Sequence, residues 1–176
     1  KKHGGIVLPF LSLAAVMFVV AGLSEQILSI RGANDLLRFT MFREANMFLW
    51  IYGFFSFATY GAMYYIVPRL VGREWKYASL IKLHFWSSAY GVMLMVSMLL
   101  IGGLVQGRDL DNTALSFTES TQSILPYLRG RSISGLLLTV AHFIFAFHFG
   151  LMLLGLGRTA TVPTFLNPQE GDVRAH

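Results

Sequence analysis

Four long apolar runs, near residues 6–30, 46–67, 83–105 and 133–156, constrain the fold more than any other feature of the sequence. A helix needs about 20 predominantly apolar residues to cross the hydrocarbon core of a bilayer, and each run is near or above that length. A membrane β-barrel would show segments of about ten residues with alternating polarity, and these runs do not alternate. The pattern therefore predicts a single all-α domain, an integral membrane bundle of four transmembrane helices.

The composition agrees with a surface that faces lipid. Of the 176 residues, 55% are hydrophobic and only 13% are charged, whereas soluble domains carry about 25% charged residues. The net charge is +5, and most of the basic residues lie between the apolar runs. This placement indicates anionic lipid headgroups as partners and argues against nucleic acid. Because the chain has no cysteine, disulfides, thiolate metal sites and cysteine nucleophiles are excluded.

The polar segments predict the topology. The N-terminal segment, the second connection and the tail contain eight of the 14 Lys and Arg residues. Cytoplasmic loops are enriched in these residues, so the bias predicts a multi-pass protein with both termini in the cytoplasm. We expect the membrane to be the bacterial inner membrane. Pro68 is expected to stop the second helix, and Pro126 lies in the longest connection. The predicted connections are residues 31–45, 68–82 and 106–131, followed by an extended tail at 159–176.

Three histidines lie in or beside the predicted spans and are the candidate haem ligands: His84, His142 and His148. Imidazole binds haem iron, and an ionisable residue inside a membrane is a functional candidate. His142 and His148 are separated by about 120° around a helix, so they cannot bind one ligand from the same face. In the predicted topology His84 and His148 both approach the cytoplasmic interface, which permits a haem between them. The more common role is a hydrogen bond to a neighbouring helix, and we favour it.

Other candidate sites are fewer. Glu25, near the outer end of the first helix, has the chemistry of a proton-relay acid. A carboxylate so close to a helix end is more often hydrated or paired with a loop arginine, and we favour that interpretation. The sequence contains no zinc signature, nucleotide-binding loop, nucleophile elbow or pair of catalytic carboxylates. No catalytic residue and no metal site are therefore predicted.

Small residues spaced four apart predict where helices pack closely, because they let two backbones approach in a membrane. One such pair is Ser87 and Gly91 in the third run. The residues that we predict at an interface with other membrane subunits are His142, Ala146 and Gly150 on one face of the fourth helix, and Ala58 and Ala62 in the second.

Three stretches of the sequence resemble a known family. Residues 57–70 read FATYGAMYYIVPRL, residues 82–86 read KLHFW, and residues 125–153 read LPYLRGRSISGLLLTVAHFIFAFHFGLML. Together they resemble the C-terminal part of the catalytic subunit of C-type (cbb-type) cytochrome c oxidases, in the heme–copper oxidase superfamily. The resemblance covers nearly the whole chain and implies the last four helices of that subunit.

The departure from the family pattern concerns the haem ligands. In that family, the helix that ends in V-P-R-L begins with the histidines that ligate the haem irons. Counted back from Pro68, the matching positions are Asn46 and Phe48, and an earlier family histidine corresponds to Arg38 or its neighbourhood. The family's copper ligands and cross-linked tyrosine lie on helices that precede the matched stretch. The resemblance thus implies the fold without the active site, and no cofactor bound by this chain.

Two functions of different classes follow. The leading hypothesis is a non-catalytic accessory subunit of a respiratory oxidase-type complex, a truncated paralogue of the oxidase core that associates with other membrane subunits and lipids. The alternative is a redox component, a b-type cytochrome or quinol-binding subunit that uses His84 and His148 with haem b. Half of a split oxidase core is a third possibility, and Asn46 and Phe48 argue against it.

Overall fold

A computed structural model of the chain describes residues 4–159. Residues 1–3 and most of the predicted extended tail, residues 160–176, lie outside the described residues. The elements in chain order are α1 (Gly4–Ser29), α2 (Arg31–Leu37), α3 (Met41–Phe48), a π-helical segment (Leu49–Ser56), α4 (Phe57–Val71), β1 (Arg73–Glu74), α5 (Ala78–Asp111), α6 (Phe117–Leu153) and β2 (Arg158–Thr159).

The architecture is helical and suited to a membrane. Within the described residues, three helices are long and apolar enough to cross a bilayer: Val7–Ser29, Ala78–Asp111 and Phe117–Leu153. The second apolar run forms α3, the π-helical segment and α4, and each of these pieces is too short to span on its own. The backbone stays right-handed helical at both junctions, Phe48 and Phe57. The helical membrane fold is confirmed, whereas the predicted count of four spans is not.

The predicted connection at residues 106–131 is wrong. The helix α5 continues to Asp111, and α6 already begins at Phe117. A capping box starts α6: the Ser116 hydroxyl accepts a hydrogen bond from the Glu119 amide at 3.3 Å, and the Glu119 carboxylate accepts one from the Ser116 amide at 2.8 Å. This cap satisfies the first turn of the helix, and Pro126 lies inside it. The polarity of residues 106–131 predicts a loop, but α5 and α6 both extend into this segment beyond their apolar parts.

Pro68 does not stop its helix, contrary to the prediction. The helix α4 continues to Val71 and ends at Gly72, whose φ of 68° is left-handed. Proline has no N–H, so it leaves the carbonyl four residues earlier without its helical partner. That carbonyl belongs to Tyr64, and the indole Nε1 of Trp75 donates to it at 3.0 Å. The last turn persists because another segment supplies the missing donor.

The helices pack in a chain of neighbours. The helix α1 lies along the π-helical segment and α4, α3 packs against α5, and α5 packs along most of α6. The buried stripe of α6 includes Ser134, Leu138, Ala141, His148 and Met152, which follow helical spacing. From Ile133 to Leu153, most of the remaining circumference of α6 is accessible and apolar, so this part of the helix faces lipid or another protein.

A short strand pair joins two segments that are distant in sequence. The strand β1 pairs antiparallel with β2, with Arg73 opposite Thr159 and Glu74 opposite Arg158. The guanidinium of Arg73 also donates a hydrogen bond to the carbonyl of Gly155. The chain that follows α6 is thereby held against the turn between α4 and α5.

Candidate functional site

His84 lies at the centre of a cluster of aromatic rings, which we call the aromatic cluster: Phe10 from α1, Tyr60 and Tyr64 from α4, and Phe145 from α6. Their ring centroids lie between 4.5 and 5.7 Å from that of the His84 ring. His84 is fully buried. The sequence placed this histidine near one end of the bundle, and the structure shows that side chains from α1, α4, α5 and α6 meet around it.

A hydrogen bond orients the His84 ring. Its Nδ1 lies 2.9 Å from the Tyr64 hydroxyl. Its Nε2 has no hydrogen-bond partner among the described residues. A buried polar group normally has a partner, and here one ring nitrogen is satisfied by a neighbouring helix. This arrangement is the one that we favoured from the sequence.

His148 is also fully buried and lies at the same end of the bundle. Its Nε2 accepts a hydrogen bond from the Tyr77 amide at 3.3 Å. Its ring packs on Trp75, with centroids 4.9 Å apart, and approaches Tyr64 at 6.5 Å. Within the described part of the chain, its Nδ1 has no partner. His84 and His148 therefore both neighbour Tyr64, at the common depth that the topology predicted.

His142 is exposed, and its ring centroid lies 6.2 Å from that of Tyr52 and 6.3 Å from that of Tyr60. It thus approaches the outer side of the aromatic cluster without joining the buried part. The other predicted interface residues are also accessible: Ala146 and Ala62 are exposed, and Ala58 and Gly150 are partly buried. Residues 4–159 thus leave the face of α6 that we predict to contact another subunit largely uncovered.

Two glycines show which small-residue sites are used within the chain. A Cβ built at Gly91 would lie 2.8 Å from a methyl carbon of Leu138, so α6 already occupies that position. Among the described residues, a Cβ built at Gly150 would meet nothing within 4 Å. Gly91 serves the internal contact between α5 and α6, and Gly150 leaves room for a partner.

The opposite end of the bundle contains the two positions that the resemblance assigns to haem ligands. The amide Nδ2 of Asn46 donates a hydrogen bond to the Glu25 carboxylate. Asn46 is only 5% exposed, and its Oδ1 has no partner among the described residues. Phe48 stacks on Tyr52 with centroids 5.1 Å apart. Glu25 is exposed, as expected, and its partner is Asn46 and not the loop arginine that we considered.

A cavity of about 610 Å³, which we call the polar cavity, lies beside Asn46. Its lining comes from the end of α1, the segment before α3, and α3 with the first residues after it. The charged and polar residues of the lining are Glu25, Arg38, Thr40, Arg43, Glu44 and Asn46, and the apolar ones are Leu28, Phe39, Met47 and Trp50. The sequence indicates some of these residues singly, and their spacing along the chain does not predict a shared cavity. Within residues 4–159, no group of three or more His, Asp or Glu side chains is placed to hold a metal ion.

Comparison with known proteins gives consistent results. Residues 5–137 match the family model described as Cytochrome C and Quinol oxidase polypeptide I. The chain is 27% identical over 150 residues to a cytochrome c oxidase subunit 1 homolog of Agrobacterium tumefaciens, covering 81% of this chain and 28% of that protein. It is 25% identical over 172 residues to the bacteroid homolog of Bradyrhizobium diazoefficiens, covering 92% of this chain and 31% of that protein. A third relative is the cytochrome c oxidase subunit 1 of Rhodobacter capsulatus, 25% identical over 142 residues, with 77% of this chain and 27% of that protein covered. The chain spans less than a third of the length of these curated relatives.

Proposed function

This chain belongs to the cytochrome c and quinol oxidase polypeptide I family, and on that premise we propose that it is a non-catalytic, structural subunit of a respiratory oxidase-type complex. The match to the family model confirms the resemblance found in the sequence. The chain is a multi-pass membrane protein related to subunit I of cytochrome c oxidases. The accessory role rests on one observation, the hydrogen bond between Asn46 and Glu25.

The chemistry of Asn46 and Phe48 supports this role. Haem iron in proteins is held by imidazole, thiolate, thioether or phenolate groups. The amide nitrogen of Asn46 has no available lone pair and is already engaged with Glu25, and the phenyl ring of Phe48 has no ligating atom. The two positions that the resemblance assigns to haem ligation thus contain side chains that stabilise helix contacts, and we expect no iron or copper bond to this chain.

The proposal includes the topology. The π-helical segment joins α3 and α4 without a break in helical backbone, so residues 41–71 form one rod that is long enough to cross a bilayer at about 1.5 Å per residue. We propose that this rod also spans the membrane, as the second of four spans in chain order. We further propose that both termini lie in the cytoplasm and that the membrane is the bacterial inner membrane. Labelling of single cysteines placed in the tail, which the cysteine-free chain permits, tests the orientation. Labelling from the periplasmic side would contradict it.

The surface of α6 supports assembly with other subunits. Leu136, Phe143 and Phe147 are each at least 60% exposed on α6, beside the open face that contains Ala146 and Gly150. In a membrane, lipid supplies no hydrophobic drive for helices to associate, so such a face must be recognised by close packing. We propose that it docks beside a catalytic oxidase chain.

Spectroscopy of the purified protein tests the proposal. The tagged chain is purified from its native membranes with its complex, and the reduced-minus-oxidised spectrum is recorded before and after the chain is separated in detergent. We expect a haem-containing oxidase polypeptide to co-purify and the separated chain to show no b-type band. A b-type band that stays with the separated chain at one haem per chain would overturn the accessory role.

One observation favours the alternative of a b-type cytochrome or quinol-binding subunit. His84 and His148 are both fully buried, and each has one ring nitrogen without a partner in the described part of the chain. If they ligate haem b, the separated chain has a b-type band that is lost in His84→Leu and in His148→Leu but kept in His142→Leu. The accessory role predicts no band in any of these proteins.

A further inference from the structure

We propose that the polar cavity binds the headgroup of a zwitterionic phospholipid that has a primary ammonium group, as phosphatidylethanolamine does. The inference is independent of the accessory role, because it depends only on the cavity and on the charges around it. The three features that carry it are a buried acceptor without a donor, charges of both signs, and apolar side chains at the cavity wall.

On one side of the cavity, Glu25 and Asn46 present hydrogen-bond acceptors, which favour a ligand with positively charged N–H donors. Asn46 Oδ1 is buried and has no partner among the described residues. The Glu25 carboxylate beside it accepts from the Asn46 amide, a neutral donor, and no described cation lies within ion-pair distance of it. Asn46 Oδ1 lies below the accessible surface, so the exposed Glu25 carboxylate makes the contact with a ligand. A primary ammonium has three N–H groups and can donate to this carboxylate, whereas a quaternary ammonium has no N–H to donate.

The opposite charge is supplied by arginines. Arg38 and Arg43 line the same cavity, and guanidinium groups bind phosphate oxygens through several N–H donors at once. The second acid of the cavity, Glu44, is paired with Arg131 at 3.1 Å. Glu25 therefore remains for a ligand cation, and Arg38 and Arg43 remain for a ligand anion. A ligand that carries both charges on one small group fits this arrangement.

The apolar lining indicates a lipid and not a soluble zwitterion. Phe39 is 77% exposed and Met47 is 51% exposed at the cavity, where they can contact acyl chains. The cavity also lies beside the end of the candidate α1 span, at Ser29, and lipid headgroups lie at the ends of membrane spans. Leu28 and Trp50 complete an apolar wall that a free headgroup would leave largely unused.

Native mass spectrometry of the full chain in detergent tests the proposal. The purified protein is mixed with equal amounts of phosphatidylethanolamine, phosphatidylcholine and phosphatidylglycerol that have identical acyl chains. We expect phosphatidylethanolamine to be retained preferentially. Glu25→Gln removes the charge but keeps an acceptor, and we expect it to lower that retention about tenfold, the effect of losing one charge-assisted hydrogen bond.

Matched variants make the result specific. Asp35→Asn removes a carboxylate that lines a different cleft at the same end of the bundle, and we expect retention to be unchanged. Arg43→Gln is expected to lower the retention of all three lipids, because each has a phosphate group that Arg43 would bind. The melting temperature of every variant is measured in the same detergent, so that a loss of folding is recognised.

Two results would overturn the proposal. One is equal retention of the three lipids by the unmodified chain. The other is unchanged preference for phosphatidylethanolamine in folded Glu25→Gln. Soluble glycerophosphoethanolamine is added at the same concentration as the lipid in a further arm. If it fails to displace the lipid, the contribution of the apolar wall is supported, and if it displaces the lipid, the assignment to a lipid is overturned.

Discussion

At its C-terminal half, α5 presents glycines to α3, whereas at its N-terminal half it presents His84 to the aromatic cluster. A Cβ built at Gly103 would overlap the backbone nitrogen of Phe42 and lie 2.7 Å from its Cα, so the two backbones are in direct contact there. At the other end α5 reaches α4 through side chains, with Tyr60 and Tyr64 filling the space around His84. The comparison shows two ways in which α5 is fixed against its neighbours. Against α3 the two backbones are in contact and leave no room for another atom. Against α4 the contact is between aromatic rings, and it depends on their shape and on one hydrogen bond.

The largest effect is expected at the glycine end. Gly103→Ala places a methyl group against the Phe42 backbone, and because a backbone cannot rotate away as a side chain can, α3 must shift. We expect the free energy of unfolding, measured in mixed detergent micelles, to fall by about 3 kcal/mol or more. Gly22→Ala is the control, since a Cβ there meets no described atom within 4 Å, and it should leave stability unchanged or raise it by about 0.5–1 kcal/mol. Equal behaviour of the two variants would show that α3 and α5 are not in backbone contact.

At the aromatic end, Tyr64→Phe keeps the ring and removes the hydroxyl that lies 2.9 Å from His84 Nδ1. We expect a loss of about 1–3 kcal/mol, because a buried nitrogen is left without a partner. The matched control is the neighbouring Tyr65→Phe, an exposed position, with an expected change within about 0.5 kcal/mol. In a His84→Leu background the cost of Tyr64→Phe should shrink, and an undiminished cost would mean that the hydroxyl acts through another group.

A smaller effect is expected at Trp75, whose indole donates to the carbonyl that Pro68 leaves without a helical partner. Trp75→Phe should cost about 0.5–1.5 kcal/mol. Pro68→Ala restores an N–H for the Tyr64 carbonyl, so Trp75→Phe should cost less in that background. The coupling is measured with a double-mutant cycle, and simple additivity of the two substitutions would rule out the compensation.

The smallest effect on the chain itself is expected at Gly150, because a side chain there would contact none of the residues that the structure describes. Gly150→Leu should change the unfolding free energy by no more than about 0.5 kcal/mol, yet it should detach the chain from its complex. His142→Leu should detach it less, since hydrogen bonds between membrane helices contribute roughly 0.6 kcal/mol and at most ~1.7. Co-purification with the complex is the measurement. If His142→Leu abolishes association with the complex while Gly150→Leu leaves it unchanged, the packing argument is contradicted. That result would favour a role for His142 as a ligand or as a buried polar group.

The sequence predicted the parts of this fold that depend on average polarity. The apolar runs located the helices, and the direction of successive helices placed His84 and His148 at one depth, where both now neighbour Tyr64. The resemblance identified the family from motifs that lie in these same helices. These features depend on many residues at once, so individual exceptions do not disturb them.

The features that the sequence did not predict depend on single contacts between distant segments. The helix α4 passes Pro68 because Trp75 supplies a donor, and α6 begins early because Ser116 and Glu119 cap it. The polar cavity joins residues from α1, from the segment before α3 and from α3. Nothing in the spacing of these residues along the chain indicates that they line one space.

The strand pair places a condition on how this protein enters its membrane. Two strands that are hydrogen-bonded to each other must lie on the same side of the bilayer, so the chain between β1 and β2 crosses it an even number of times. The helices α5 and α6, both candidate spans, occupy that interval. The second strand is synthesised only after α6, so the pairing of β1 with β2 comes late in synthesis. In the inserted protein this pairing requires α5 and α6 to cross the bilayer in opposite directions, and it joins the two ends of their hairpin on one side.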